Sequence, residues 1–290
     1  MSILHEVEAA TPEPAQNSAT ADRESRGQWW RFALIAIISI IMIIPVVITV
    51  ILSLRPGLTS TTTGFTFENF KYVFTSTDTV KWLANSLAVT IGTMVVSVIV
   101  AAPAGYVLSR GKSRAVSGYS LLLFVIQSLP VITAVIPLFV LFARIGLVDS
   151  LLGLAIVYVG ASMSVATWMM AAYIDSIPIT LEEAAWIDGA SLFGGFRRVV
   201  LRNSLPGVMS TAIFTFLVSW NDYLVAVVFL RTQTKYTLPI GLQSFFQQNA
   251  TDWGSVMAVA VVMMLPPVLV FACLNRFFSV GGVGGSLAGQ

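Results

Sequence analysis

Six long apolar segments divide this sequence and restrict its fold more than any other feature does. A helix of about 20 apolar residues matches the thickness of a bilayer core. Backbone groups in lipid must be hydrogen-bonded within the segment, so each segment is predicted to be helical. We therefore predict an all-α polytopic membrane protein with six transmembrane helices. The predicted spans are Phe32–Leu54, Ser86–Leu108, Tyr119–Phe142, Leu151–Tyr173, Gly207–Leu230 and Gly254–Asn275.

Composition agrees with this class, since 56% of the residues are hydrophobic and only 10% are charged. Among the six segments, only the fifth contains an ionisable residue, Asp222. Residues 1–28 are polar and include Pro12 and Pro14, which predicts a disordered tail. Residues 29–290 are then predicted to form a single transmembrane domain.

Basic residues indicate the orientation in the membrane. With the N-terminus inside, ten of the 16 Lys and Arg residues fall in the tail and the cytoplasmic loops. The short loop 109–117 alone contains Arg110, Lys112 and Arg114. The positive-inside rule therefore predicts that both termini, and the loop between the fourth and fifth spans, are cytoplasmic.

This fourth-to-fifth loop, residues 174–206, has the pattern of a helix–turn–helix. Thr180 and Glu183 have the spacing of a capping box, in which Thr180 would cap a helix running from about Leu181 to Asp188. Gly189 is suited to the left-handed position that ends such a helix, and Ser191 can cap a second one. The loop is therefore predicted to project a small structured knob from the membrane.

The surface of this knob is predicted to be small and acidic, which suits close approach by a partner with basic groups. An ordinary solvated connector is the alternative reading of the same composition. The residues that would form the contact are Glu182, Glu183, Ala184, Ala185, Asp188, Gly189 and Ala190.

The fifth span contains an acid about two-thirds of the way across, where a charge costs a few kcal/mol unless it faces protein or water. Trp220, Asn221 and Asp222 could bind the ring face and hydroxyls of a sugar. Alternatively, Asp222 makes a helix-packing hydrogen bond or belongs to a periplasmic gate. Consecutive helical residues point about 100° apart, so the three side chains cannot all face one pore.

Several other kinds of chemistry are disfavoured. Residues 110–114 imitate the end of a phosphate-binding loop, but Tyr106 stands where glycine is required. With one histidine, His5, and one cysteine, Cys273, the sequence shows no catalytic or metal-binding constellation and no stripe for nucleic acid. An intramembrane enzyme is disfavoured for this reason. A stand-alone ion-coupled transporter remains an alternative. Such a transporter needs a chain of ionisable residues within the membrane, and the predicted spans contain only Asp222.

The stretch "EEAAWIDGASLFGGFRRVVLRNSLPG" resembles the EAA loop of ABC-importer permeases. The loop lies between the fourth and fifth spans in that family too. One departure is Arg202, where many members have proline. The matching positions are Glu183, Ala184, Ala185, Asp188, Gly189, Ala190, Phe196, Val199, Leu201 and Pro206.

The resemblance extends from about residue 30 to the end and is closest to the carbohydrate branch. "SWNDYLVAVVFL" is similar to the Trp-Asn-(Asp/Glu) signature in the fifth span of sugar-importer permeases. The ending "RFFSVGGVGGSLAG" is similar to theirs, with Ala288 in place of the usual lysine. The likeness is greatest to the second permease of maltose-type importers.

This resemblance implies a permease subunit of an ATP-driven carbohydrate importer in the bacterial inner membrane, with a di- or oligosaccharide as substrate. Polyols and glycerol phosphates are alternative substrates. The implied partners are a second permease in a heterodimer, two subunits that bind ATP and Mg²⁺, and an extracytoplasmic substrate-binding protein. This chain itself would bind no cofactor. The knob would then be an ATPase-coupling site that moves spans four and five, and Trp220, Asn221 and Asp222 a possible part of the translocation pathway.

Overall fold

A computed structural model describes residues 17–56, 64–246 and 251–282, and the side chains of 29–56, 64–246 and 251–274. Every regular element in these ranges is helical. The α-helices are α1 (Asn17–Ser53), α2 (Glu68–Ser76), α3 (Thr79–Arg110), α4 (Arg114–Ser128), α5 (Val131–Arg144), α6 (Leu151–Asp175), α7 (Thr180–Ile187), α8 (Leu192–Gly195), α9 (Leu201–Asn203), α10 (Leu205–Trp220), α11 (Leu224–Phe229), α12 (Leu238–Gln243) and α13 (Trp253–Gly282). A π-helix, Phe196–Val200, joins α8 to α9, and a 3₁₀-helix, Gln233–Lys235, precedes α12.

The predicted all-α membrane fold is confirmed. Within the described ranges, four helices are long and apolar enough to cross a bilayer by themselves. These are the helices at the predicted first, second, fourth and sixth spans: α1, α3, α6 and α13. The predicted third and fifth spans are each divided between two helices, so an apolar run did not always mean an uninterrupted helix.

The third predicted span is bent at its centre. Helices α4 and α5 meet at an angle of 98°. Leu129 and Pro130 between them have extended backbone conformations, because the residue before a proline is sterically kept out of the α-region. The prediction of one uninterrupted span over Tyr119–Phe142 is therefore wrong at Pro130, which interrupts the helix within the apolar run.

The fifth predicted span is interrupted by a break between two helices. Helix α10 stops at Trp220, and α11 begins at Leu224. Between them, the Asp222 carboxylate accepts hydrogen bonds from the Val225 amide at 3.1 Å and the Ala226 amide at 3.2 Å. Asp222 therefore supplies acceptors to amides at the start of a new helix, which has no preceding turn to bond them.

Helices α3, α6 and α10 pack against one another and form the centre of the bundle. The approach of α3 to α6 is close enough that a Cβ on Gly105 would lie 2.6 Å from the Met170 Cβ. Gly207 plays the same part on α10, where a Cβ would lie 2.4 Å from the Tyr173 ring. Small residues thus set the spacing of these helices, as is common where membrane helices meet.

Helix α1 belongs largely to a separate compact unit, of which residues 17–51 are described, and its apolar side chains are exposed along most of the described part. It begins at Asn17, so residues 17–28 are helical where disorder was predicted. No proline interrupts this segment, and it runs directly into the apolar residues of the first span. The remainder of the predicted tail, residues 1–16, lies outside the described residues, as does Ala288.

Candidate functional site: the knob between α6 and α10

The turn after α7 is a glycine-dependent helix end. Gly189 has φ +86°, as predicted for a left-handed C-cap. The Ala190 amide donates to the Ala185 carbonyl at 2.9 Å and the Gly189 amide to the Trp186 carbonyl at 3.0 Å, which is the Schellman pattern. The Ser191 hydroxyl then accepts from the Gly194 amide at 3.1 Å and caps α8, also as predicted. The helix–turn–helix is therefore specified locally.

The predicted capping box at the start of α7 is wrong. The amides of Glu182 and Glu183 both donate to the Ile179 carbonyl, at 2.9 and 3.0 Å. Helix α7 begins at Thr180, with Ile179 as the capping residue and no side-chain cap. Thr180 is thus already inside the helix, where its hydroxyl cannot cap the amide that the sequence pattern assigned to it.

One face of the knob is exposed and more apolar than the sequence analysis anticipated. Ile187 is 86% exposed, Phe193 70% and Leu192 68%. Ala184, Gly189 and the acids Glu183 and Asp188 are exposed on the same knob, and Ala185 and Ala190 are half-buried. Exposed apolar patches of this kind are characteristic of interaction sites. We call this the docking face: Leu181, Glu183, Ala184, Ile187, Asp188, Leu192 and Phe193.

Glu182 points away from the docking face, which corrects the prediction that it meets a partner. Its side chain is 0% exposed and forms an ion pair with Arg110 of α3 at 2.8 Å. The Tyr106 hydroxyl donates to its second carboxylate oxygen at 2.9 Å. A residue next to Glu183 on a helix points about 100° away from it. Of the two adjacent acids, only Glu183 is available to another chain.

The second half of the knob packs against the ends of α3 and α6. Phe196 is buried, and its ring lies 5.0 Å from that of Tyr106, centroid to centroid. A Cβ on Gly195 would lie 2.8 Å from the Trp186 indole nitrogen. Val200 joins the same apolar cluster as Met170 of α6. A π-helix is a rare element that is frequent at functional sites, and here it connects the docking face to α10.

The three residues singled out in the fifth span do not converge. Trp220 is buried, stacks on Phe216 at 5.6 Å and donates its indole N–H to the Met263 carbonyl at 3.1 Å. Asn221 is exposed, and its amide donates to the Leu217 carbonyl. Asp222 is half-buried and accepts from the Tyr158 hydroxyl at 2.8 Å. The Trp220 indole is thus occupied inside the protein, and of the three side chains Asn221 is the exposed one, although its amide is bonded to its own helix.

A clasp between the α5–α6 loop and the segment after α11 was not predicted from the sequence. Asp149, with φ +55°, joins the short α5–α6 loop to the segment after α11. It accepts from the amides of Arg231 and Thr232, from the Thr232 hydroxyl and from Lys235 Nζ. Partial burial acts to raise the pKa of Asp149, but these donors outweigh it and hold the pKa well below its usual range. The sequence gives no local signal for this site. In the structure, the positive φ of Asp149, a residue that is not glycine, marks it.

No group of three His, Cys, Asp or Glu side chains in the described part of the chain is arranged to hold a metal ion. What the structure presents is a multi-pass helical membrane protein with a capped knob and an exposed docking face. The chain matches the family described as "Binding-protein-dependent transport system inner membrane component" over residues 94–280, and it belongs to this family.

Relatives and solved structures agree with this assignment. The chain is 30% identical to the maltodextrin transport system permease protein MdxG of Bacillus subtilis, over 78% of this chain and 81% of that one. It is 31% identical to the trehalose transport system permease protein SugB of Mycobacterium tuberculosis, over 77% and 82%. The fold is similar to that of a chain in a bacterial ABC transporter involved in alginate import, with a TM-score of 0.73, 21% identity and coverage of 92% and 100%.

Proposed function

We propose that this chain is a permease subunit of an ATP-driven carbohydrate importer in a bacterial inner membrane, with both termini in the cytoplasm. It supplies half of the translocation pathway and pairs with a second permease. Two ATP-binding subunits drive the complex, one of them seated on the docking face, and an extracytoplasmic binding protein delivers the sugar. A di- or oligosaccharide is the proposed substrate, supported by the relatives named for maltodextrin and trehalose.

The observation that carries the proposal is the docking face itself. Ile187, 86% exposed, lies on a helix that ends at a glycine-dependent turn. Exposed Glu183 and Asp188 flank it and offer charge to a basic partner. A rigid, apolar, acid-rimmed helix face is what a helix-in-groove contact with a soluble subunit requires.

The direct test is the variant Ile187→Asp in the complete transporter. If association buries position 187, an aspartate there would lose its hydration, and this cost disfavours association. We expect at least a tenfold loss of the ATP-binding subunit that co-purifies and of ATP-dependent uptake of labelled maltodextrin or trehalose. Ile179→Asp is the matched control, because it adds the same charge at the α7 N-terminus, where the helix dipole favours an acid.

Normal co-purification and uptake with Ile187→Asp would show that the docking face does not seat an ATP-binding subunit. Uptake by the purified chain alone in liposomes, without nucleotide, would instead favour the ion-coupled transporter. Polyols and glycerol phosphates are tested as competitors of labelled sugar. Competition by those solutes, and none by oligosaccharides, would move the proposal to the polyol or glycerol phosphate alternative.

A further inference from the structure

The docking helix α7 is fastened to α3, the second predicted span, by a buried ion pair. Arg110 is the last residue of α3, and its Nε donates to Glu182 Oε1 at 2.8 Å. Its Nη2 lies 2.8 Å from the same carboxylate and also donates to the Ile177 carbonyl at 2.8 Å. The Tyr106 hydroxyl, one turn earlier on α3, occupies Glu182 Oε2. We call Glu182, Arg110 and Tyr106 the α3–α7 clamp.

The clamp resists separation of the two helices. The Glu182 side chain is fully buried and the Arg110 side chain is only 17% exposed. Moving α7 away from α3 would leave both charges in a poorly solvated site without their partners, which is strongly unfavourable. Both carboxylate oxygens are bonded, and the guanidinium bridges the carboxylate and a backbone carbonyl, so the contact has a defined geometry rather than a loose attraction.

The same end of α3 is also joined to α6. The Ser109 hydroxyl donates to the Asp175 carboxylate at 2.5 Å. The close contact at Gly105 continues this packing further along α3. Helix α10 is connected differently, because the chain reaches it only through the π-helix, α9 and a break at Ser204. The knob is therefore held to α3 and α6 by side chains and joined to α10 by a jointed segment.

From this arrangement we infer that Glu182 and Arg110 are positioning residues that carry the movement of the docking helix into α3. The inference rests on the proposed function, since it presumes that an ATP-binding subunit moves α7. It adds α3, the second predicted span, to the route expected from the sequence, in which the knob moves spans four and five. Helices α3, α6 and α7 shift as one body, and α10 follows through its packing against α3 and α6 as well as through its joint.

The test measures coupling in the complete transporter, with the second permease, the ATP-binding subunits and the sugar-loaded binding protein. Arg110→Gln leaves Glu182 buried without its cation. We expect the ATP-binding subunit still to co-purify, because the docking face is unchanged. Sugar imported per ATP hydrolysed should fall at least fivefold, and stimulation of hydrolysis by the loaded binding protein should be lost.

Glu182→Gln combined with Arg110→Gln is the rescue variant. Two neutral amides can hydrogen-bond across the same gap and leave no unpaired charge, so the double variant should recover much of the import per ATP. Tyr106→Phe removes one hydrogen bond and leaves the ion pair, and a loss of about twofold in import per ATP is expected. A double-mutant cycle of this kind isolates the pair from its surroundings.

Unchanged import per ATP in Arg110→Gln would overturn the inference. If Arg110→Gln does not assemble, Tyr106→Phe and Arg110→Lys decide, and unchanged import per ATP in both overturns it. Failure of the proposed function looks different, because then Ile187→Asp leaves co-purification and uptake intact in the chain with a wild-type clamp. If Ile187→Asp loses docking while the clamp variants keep normal import per ATP, the proposed function stands and only the role of the clamp is rejected.

Discussion

The knob and the break in the fifth span use acidic residues in opposite ways. On the knob, Glu183 and Asp188 are exposed beside apolar side chains, while neighbouring Glu182 is bonded internally. At the break, the Asp222 carboxylate is engaged by Tyr158 and by two amides of α11. The exposed carboxylates of the knob can therefore pair with a partner. The Asp222 carboxylate instead accepts hydrogen bonds within the protein and shapes the start of α11. An exposed acid such as Glu183 can bind another chain, whereas a bonded acid such as Glu182 or Asp222 acts within its own chain.

The largest effect is expected at Gly189, which ends the docking helix. A Cβ there would meet nothing within 4 Å, so the space is free and the cost comes from φ +86°. Gly189→Val should disfavour the turn by about 1–2 kcal/mol and displace the docking face. We expect about a tenfold loss of ATP-dependent uptake and of co-purifying ATP-binding subunit. Gly189→Asn, which tolerates this backbone region, should retain most of both.

The break is tested next with Asp222→Ala. Removing the carboxylate leaves the buried Tyr158 hydroxyl and two α11 amides without their acceptor, and each unsatisfied buried group costs about 1–3 kcal/mol. We expect less folded protein and a lower melting temperature in detergent, with the ranking of competing sugars unchanged. Tyr158→Phe is the matched variant, because it loses one of these bonds and should destabilise less. Normal amounts with an altered sugar ranking would show that Asp222 contacts substrate.

Trp220 and Asn221 separate packing from substrate contact at the same break. Trp220→Phe keeps the aromatic stack on Phe216 but loses the bond to the Met263 carbonyl, so stability should fall by about 1 kcal/mol with KM for uptake unchanged. Asn221→Ala removes an exposed side chain and should leave stability within about 0.5 kcal/mol. A raised KM in Asn221→Ala alone would place substrate at the exposed side of the break. A raised KM in Trp220→Phe would contradict its internal role.

The smallest effect is expected at the Asp149 clasp and depends on pH. The pKa of Asp149 is lower in the folded protein than in an unfolded chain, where it is about 3.9. Its contribution is therefore present above pH 4 and is lost as the pH falls further toward the folded pKa. The difference in melting temperature between wild type and Asp149→Asn should be constant from about pH 7 to 5 and shrink below pH 4. A difference that grows on acidification would contradict the assigned donors.

Local patterns predicted the knob well because their causes are local. Gly189 and Ser191 were assigned their capping roles from residue type and spacing, and both assignments are confirmed. Thr180 was assigned by the same reasoning and the assignment is wrong, because the helix starts one residue earlier, with Ile179 at the capping position. The exposed Ile187 was not selected, since an apolar residue in an apolar chain gives no signal of its own. Its exposure outside the lipid-facing helices is visible only in the fold.

Hydropathy and the spacing of glycine, serine and acids were sufficient for the helical membrane class, the approximate places of the spans and the existence of a capped knob, because these depend on neighbours within a few turns. The orientation of Glu182, the burial of Trp220 and the clasp at Asp149 depend on residues about 40 to 80 positions away along the chain. Contacts between residues so far apart in the chain produce no recognisable spacing pattern in the sequence. Folding alone brought an arginine, a carbonyl or an amide to each of them, and so separated the acids that hold the bundle together from those left free for another chain.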